Sequence, residues 1–220
     1  EQLQHTIKQY YGADFDSCRY LDRFFDLRIS MPPANMEKFY SEIGLESRYY
    51  VDIVTKRIIN MYNFELREIT RFYSQIKAAV YDPTHDSEKY DFMFPDGKGR
   101  QIILIYIVPL LIGLKIADIS KYDQFINGHN SEPLKELLDF DNDNRLLENM
   151  LNRDESFTKE EGKTLITTDE MIDKFYNAIF VDQYDGRKYN TTLGQYEFTK
   201  ESKGFAISAS SMLSRFAELS

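Results

Sequence analysis

The sequence predicts a mainly α-helical protein in which one β-strand stands out. Over most of the 220 residues, apolar side chains recur every three or four positions, the spacing of helices with one buried face. Hydrophobic residues make up 42% of the chain, enough to build a core. Residues 25–31 instead alternate Phe, Leu, Ile and Met with Asp, Arg and Ser, which is the period of a strand with one polar face. The predicted fold class is therefore mainly α.

The N-terminal part of the chain is predicted to be helical on both sides of this strand. The first helix ends at Gly12, a suitable C-terminal cap, and the strand must end at Pro32, because proline has no amide hydrogen for a sheet ladder. Asn63 is placed to cap the best-patterned helix of the chain. Helical patterns cover, in order, residues 1–12, 14–24, 34–44, 47–63 and 63–81.

The longest apolar run in the chain, residues 102–117, follows a polar segment with two prolines and two glycines, which predicts a linker. The run is shorter than the roughly 20 residues that span a bilayer, and Pro109 and Lys115 interrupt it. It therefore predicts a buried helix kinked near Pro109 rather than a membrane-spanning segment. We expect this helix to continue as far as Gly128.

The C-terminal part predicts shorter helices separated by polar segments. Residues 153–165 are charged and predict a loop, whereas residues 183–204 are polar with three glycines and predict a loop or a small hairpin. Thr167 lies three residues before Glu170, the spacing of a capping box. Helical patterns cover residues 131–140, 143–152, 167–180 and 205–219.

The charge distribution and the single cysteine exclude some functions. The net charge is -9, with -2 in residues 1–110 and -7 in residues 111–220. An acidic C-terminal half argues against a nucleic-acid surface there, because phosphate binding needs a basic face. Cys18 is the only cysteine, so a disulfide within the chain is excluded and a reducing compartment such as the cytoplasm is expected.

The sequence carries no metal-binding motif. Residues 139–150 have acids at the first, third and fifth places of an EF-hand loop, but Asn144 replaces the required glycine and Met150 replaces the bidentate carboxylate. The three histidines lie in separate segments without a second ligand at metal-binding spacing. We therefore expect no metal site in this chain.

Short motifs follow one another through residues 1–33, and together they resemble one protein family. They are Gln2-Leu3 with Ile7, Tyr11-Gly12, Phe15-Asp16, Tyr20-Leu21, Arg23-Phe24-Phe25-Asp26-Leu27 and Met31-Pro32. In this order they resemble the end of the nucleotide-binding core in KAP-family P-loop NTPases, with Met31 in place of the family's usual Leu. A looser match continues to about residue 81, where "LREITRFYSQIKAA" is similar to the family's helical lid.

The resemblance implies that the strand is the last one of a parallel αβα sheet. A parallel strand is buried on both faces and is not stable alone, so its neighbours, the phosphate loop and the Mg²⁺-binding acid are expected upstream of Glu1. ATP and Mg²⁺ are the cofactors implied for the complete protein, and none is expected for this chain alone. The implied domains are residues 1–32 (end of the core), 33–81 (helical lid), 82–100 (linker) and 101–220 (C-terminal helical domain).

Arg23 is the first site residue that the resemblance implies. It lies just before the strand, where related ring-forming ATPases carry an arginine that acts on a neighbour's nucleotide, so it is a candidate arginine finger. The alternative is that Arg23 forms a surface ion pair with Asp22 or Asp26, or with an acid on the next helix, which contributes little energy.

Arg67 and Arg71 are the other two implied site residues, as sensors of the γ-phosphate. A lid helix in related ATPases carries an arginine in a hydrophobic-Arg-Glu pattern, which Arg67 matches, and Arg71 lies one turn further on the same face. Arginines that reach the γ-phosphate stabilise the charge that develops during hydrolysis. The alternative is a solvated helix face on which Arg67 or Arg71 pairs with Glu65 or Glu68.

The resemblance implies that the chain is the lid and effector-coupling region of a KAP-like ATPase, acting in phage exclusion, defence or signalling. The implied partners are the rest of the NTPase core, a protein partner and further copies of the chain, with any membrane association through regions outside it. The alternative is a helical protein-interaction module without a nucleotide role, with a Tyr-rich, acidic docking face. A phosphate loop upstream of Glu1 would favour the ATPase.

Overall fold

The computed structural model describes residues 2–12, 35–47, 49–82, 91–92, 97–139, 159–160, 163–164, 168–181 and 190–211. Within these ranges it is mainly helical, which confirms the predicted class. The predicted strand at residues 25–31 and the EF-hand-like segment at residues 139–150 lie outside the described residues, apart from Asp139 at a helix end. The chain divides into two compact units, residues 1–39 and 40–220, and the four predicted domains stay a prediction.

The described helices and strands are numbered here in chain order. The helices are α1 Gln2–Tyr11, α2 Met36–Ile43, α3 Tyr50–Met61, α4 Leu66–Val80, α5 Lys98–Ala117, α6 Ile119–Ile126, α7 Glu132–Asp139, α8 Thr168–Phe180 and α9 Ser202–Ser211. The strands form three antiparallel pairs: β1 Tyr81–Asp82 with β2 Asp91–Phe92, β3 Lys159–Glu160 with β4 Lys163–Thr164, and β5 Asn190–Leu193 with β6 Tyr196–Thr199.

Helix α1 belongs to the first unit and ends where the sequence predicts. Gly12 adopts a φ of +102°, a left-handed conformation that glycine reaches without steric cost, and its N–H donates to the Lys8 carbonyl at 2.9 Å. Near the end of the helix, Tyr10 is 88% exposed and Tyr11 is 60% exposed. The C-terminal turn of α1 therefore presents two aromatic rings to solvent.

Helix α5 is the centre of the second unit. It packs against α3, α4, α6, α9 and the β5–β6 hairpin, while α7 and α8 pack on each other. Its fully buried side chains include Ile103, Leu104, Ile107, Leu110 and Leu111. The helix has 20 residues and is apolar enough to cross a membrane, but 67% of its most apolar stretch is buried inside the protein. The prediction of a buried helix is therefore confirmed.

The helix accommodates Pro109 by widening one turn before it. Residues Ile103–Ile107 form a π-helical turn, and the Val108 N–H donates to the carbonyl of Ile103, five residues back. In a regular α-helix the proline ring would clash with the carbonyl of Ile105, four residues earlier. A π-bulge relieves this type of conflict and lets the α-helix resume.

The prediction that this helix continues to Gly128 is wrong, because Asp118 starts a new helix. Its backbone is extended, with φ -158° and ψ 99°, and its carboxylate accepts the N–H groups of Ser120 at 3.0 Å and Lys121 at 3.1 Å. Aspartate satisfies the free N–H groups of a first turn well. The local capping interaction therefore ends α5 and begins α6.

The prediction that Asn63 caps the next helix is also wrong. Asn63 lies in the turn between α3 and α4 with a φ of +50°, a conformation that asparagine tolerates better than most residues. Helix α4 begins three residues later. There the Glu68 carboxylate accepts the Glu65 N–H at 2.9 Å, and the Glu65 carbonyl accepts the N–H of Ile69. The glutamates at this start therefore provide the capping interaction.

Two predictions for the polar segments have different outcomes. Of the alternatives for residues 183–204, the hairpin is found: β5 pairs with β6 through a turn in which Gly194 has a φ of +59°. The predicted loop at residues 153–165 instead contains the short strands β3 and β4. These strands pair over only two residues each, and the charged composition of the segment did not predict them.

Candidate functional site

Arg67 and Arg71 lie together on the exposed side of helix α4. The opposite side of the helix is buried against the core through Ile69, Phe72, Tyr73, Ile76, Ala79 and Val80. Both arginines are exposed and are four residues apart, so their side chains leave the same face one turn apart. Arg67 and Arg71 therefore share one exposed helix face, and their role toward a nucleotide stays a prediction.

The two arginines lie on an exposed helix face, as both the predicted site and its alternative, a solvated face, require. Neither guanidinium forms an ion pair with another residue in the described ranges. The Glu68 carboxylate accepts the Glu65 N–H at the start of the helix. Arg67 lies in the first helical turn, where the helix dipole favours negative charge, and two cations and the two glutamates share this end of the helix.

Arg23 cannot be placed in this arrangement, because it lies outside the described residues. Its predicted role as an arginine finger and its alternative ion pairs with Asp22 or Asp26 stay predictions. The candidate site in the described structure therefore consists of the exposed arginines of α4.

A second polar cluster, which the sequence analysis did not identify, joins α5, α6 and α9. The Lys115 ammonium donates to Ser211 Oγ at 3.3 Å and to Ser210 Oγ at 3.4 Å, and it lies 4.8 Å from the centre of the Tyr122 ring. Burial lowers the pKa of Lys115 and raises the pKa of Tyr122. Ser210 and Ser211 are more than 90 positions from Lys115 in the chain, so no local pattern indicates that they meet.

The hydrogen bonds of this cluster assign it a structural role. The Ser210 and Ser211 hydroxyls donate to the carbonyl of Ile207 at 2.9 and 2.7 Å, so their protons point away from Lys115. Lys115 also contacts the Ser210 carbonyl at 3.5 Å, near the end of α9. A cation is favourable at a helix C-terminus. Lys115 is therefore a cap that ties α9 to α5, rather than a base that activates a serine.

Metal-binding clusters and known relatives could each point to a function independently of the arginines. In the ranges that the structure describes, no group of three or more His, Cys, Asp or Glu side chains could hold a metal ion. Comparison with protein-family models, with curated proteins and with solved structures finds no match to this chain. The function must therefore be inferred from the residues themselves.

Proposed function

We propose that this chain is the lid and effector-coupling region of a KAP-like P-loop ATPase. The sequence motifs of residues 1–33 suggest the family, and one structural observation carries the proposal for the site. Arg67 and Arg71 leave the exposed face of α4 together, while the opposite face anchors that helix in the core. This is the arrangement needed for a helix that presents two guanidinium groups to a γ-phosphate.

The packing of α4 suggests how nucleotide binding would reach a partner. A nucleotide shifts the protein between two states only if it makes different contacts in each, and the two arginines supply such contacts in the closed state. Helix α4 packs against α5, which also contacts α3, α6 and α9. A displacement of α4 would therefore be passed to the helices that surround α5.

Helix α1 gives separate support for an upstream nucleotide-binding core. Tyr10 and Tyr11 are exposed, with ring centres 6.3 Å apart. Exposed neighbouring aromatic residues favour contact with another protein surface. In this proposal the covering surface is the rest of the NTPase core, which would be encoded before Glu1.

Two experiments test the proposal. The reading frame upstream of the Glu1 codon should encode a phosphate loop, and its absence would overturn the ATPase assignment. In the complete protein, Arg67→Ala should reduce ATP turnover by about tenfold or more, since γ-phosphate arginines contribute at least this much. Ser74→Ala, at an exposed position of the same helix, is the matched control and should keep full turnover.

The alternative is a helical interaction module without a nucleotide role. It is favoured by exposed apolar side chains on α3, where Tyr50 and Ile53 face solvent. Measuring ATP binding by the isolated chain does not distinguish the two functions, because both predict that this binding is undetectable. Turnover in the complete protein and its dependence on Arg67 separate them.

A further inference from the structure

The turn between helices α6 and α7 contains the only Asn-Gly pair of the chain, Asn127-Gly128. Asparagine loses its side-chain amide in water most readily when glycine follows it, because glycine has no side chain to keep its backbone nitrogen away from the asparagine Cγ. Asn127 is exposed, so water reaches it. The sequence therefore places a reactive pair at this turn, and the geometry of the turn decides whether it reacts.

The reaction needs only water besides the chain itself. The Gly128 backbone nitrogen gives its proton to solvent and attacks Cγ of Asn127, and the new C–N bond closes a cyclic imide. The bond from Cγ to Nδ2 breaks, and this nitrogen takes up a proton and leaves as ammonia. Water then opens the imide at either carbonyl, which yields aspartate or isoaspartate. Nothing is oxidised or reduced.

The folded turn holds the reacting groups apart. The Asn127 side-chain amide donates to the Asp123 carbonyl at 2.8 Å, one turn back along α6. The ψ of Asn127 is 6°, so its own backbone nitrogen nearly eclipses the Gly128 nitrogen and its Cβ is turned away from it. The Gly128 N–H donates to the Phe125 carbonyl at 3.2 Å, which holds the proton that the reaction must remove. Closure of the imide therefore requires the turn to open.

The hydrogen bonds at the end of α6 form a Schellman motif, which requires the glycine. The His129 N–H donates to the Gln124 carbonyl at 3.0 Å, and the Gly128 N–H supplies the second bond of the motif. Gly128 has a φ of +79°, and a Cβ atom at this position would lie 2.9 Å from Cγ2 of Val181. The residue that the turn requires is thus the one that makes Asn127 reactive.

Tyr176 of helix α8 holds the turn closed from outside. Its hydroxyl donates to the Phe125 carbonyl at 2.7 Å, the carbonyl that also accepts the Gly128 N–H, and it accepts the Asn130 N–H at 3.2 Å. Tyr176 is 2% exposed, and its ring centre lies 5.0 Å from that of Phe125. Together the turn and Tyr176 form the α6–α8 junction. Opening the junction breaks buried hydrogen bonds, so its local stability sets how often Asn127 can react.

After the reaction the junction cannot close as before. Aspartate at position 127 lacks the amide that donates to the Asp123 carbonyl, and it puts a negative charge at the C-terminus of α6, where the helix dipole disfavours it. Isoaspartate also adds a methylene to the backbone, which moves the Gly128 N–H out of register with the Phe125 carbonyl. An opening that leads to reaction is therefore recorded permanently.

We propose that Asn127 is a deamidation site that the closed α6–α8 junction protects, so that opening of the junction is converted into a permanent loosening of α6 from α8. The proposal does not depend on the nucleotide role, since neither Arg67 nor Arg71 takes part.

Incubation of the full chain in mildly alkaline buffer, followed by peptide mapping with mass spectrometry, tests the protection. Asn127 should deamidate about tenfold or more slowly in the native chain than in the chain unfolded in guanidinium chloride, because the native chain must first open. Asn127→Gln should abolish the reaction at this position, since glutamine would have to close a larger ring. Equal rates in the native and unfolded chains, or no reaction in the unfolded chain, would overturn the proposal.

Two variants separate opening of the junction from unfolding of the whole chain. Tyr176→Phe should speed deamidation of the native chain by about fivefold or more, because the closed turn loses its buried hydroxyl partner. Gly99→Ala is the matched control: a Cβ atom there would overlap the Glu197 backbone, so the variant loses stability away from the junction and should keep the wild-type rate. Equal acceleration in both variants, or in neither, would contradict control by the junction.

Asn127→Asp tests the consequence of the reaction. The amide hydrogens of Gly128 and His129 should exchange with solvent about threefold or more faster than in wild type, since the turn loses one hydrogen bond and gains an unfavourable charge. Asn60→Asp adds the same charge at an exposed position in the last turn of α3 and should leave this exchange unchanged. Wild-type exchange in Asn127→Asp would refute the loosening.

Discussion

Gly99, in the first turn of helix α5, lies directly against the backbone carbonyl of Glu197 in strand β6. A Cβ atom at position 99 would overlap the carbonyl oxygen, which belongs to backbone and cannot move aside alone. This contact lets the start of the central helix pack closely on the hairpin. Only glycine allows the two backbones to approach this closely.

Replacing this glycine should destabilise the second unit. Gly99→Ala is expected to lower the free energy of unfolding by about 1–3 kcal/mol, because the helix or the hairpin must shift. Gly204→Ala in α9 is the matched control, since a Cβ atom at position 204 would have no other atom within 4 Å, and it should raise the free energy by about 0.5–1 kcal/mol. Urea unfolding followed by circular dichroism measures both, and equal stability of Gly99→Ala and wild type would refute the argument.

The Tyr62 hydroxyl offers a substitution expected to stabilise the protein. It is buried without a hydrogen-bond partner among the described residues, and burial raises its pKa. Tyr62→Phe removes this unsatisfied group, so the free energy of unfolding should stay the same or rise by about 1 kcal/mol. A loss of stability would mean that the hydroxyl has a partner in solution.

Tyr176→Phe is the contrasting substitution. The Tyr176 hydroxyl donates to the Phe125 carbonyl at 2.7 Å and accepts the Asn130 N–H at 3.2 Å, joining α8 to the end of α6. Its removal leaves both backbone groups without this partner and should lower the free energy of unfolding by about 1–3 kcal/mol. Thermal unfolding of Tyr62→Phe and Tyr176→Phe side by side tests whether only the second substitution lowers the free energy of unfolding.

Asp118→Ala tests the break between α5 and α6. Loss of the carboxylate that accepts the Ser120 and Lys121 N–H groups should lower the free energy of unfolding by about 0.5–2 kcal/mol. Asp123→Ala, an exposed position inside α6, should change it little, because alanine suits a helix interior at least as well as aspartate. Similar destabilisation by both variants would show that the capping contact is not the cause.

Tyr106 should make the protein less stable in alkali. Its pKa is raised from an ordinary 10.0 to about 12, so above pH 10 the unfolded chain loses this proton while the folded chain retains it. Stability therefore falls as pH rises from 10 to 12. In Tyr106→Phe the decline in unfolding free energy between about pH 8 and 11 should be smaller than in wild type by about 1 kcal/mol. Identical pH profiles for the two proteins would contradict the burial of this hydroxyl.

The spacing of apolar residues was sufficient to predict part of this fold, whereas the helix boundaries were harder to predict. The helices of the second unit and the burial of α5 follow from the spacing and length of apolar runs. The break at Asp118 was missed because the apolar pattern runs through it, although the aspartate itself is a capping signal. Asn63 was wrongly predicted to cap a helix because asparagine is a preferred capping residue. It lies instead in a turn that gives it a positive φ, which the local pattern does not indicate.

For the candidate site, the sequence predicted the position of two arginines but their function is untested. The shared exposed face of Arg67 and Arg71 follows from their spacing and from the apolar residues on the other side of α4. The role of these arginines toward a nucleotide stays a prediction, as does that of Arg23.

The sequence by itself determined where most of the described helices form and that most of residues 102–117 are buried, because these depend on interactions between residues a few positions apart. Only the tertiary structure decided which helices surround α5 and which polar groups meet. Lys115 contacts a serine 96 positions away, and Gly99 contacts the backbone of Glu197. Such contacts arise from the joint packing of several apolar faces, and a local pattern carries no information about which faces will meet.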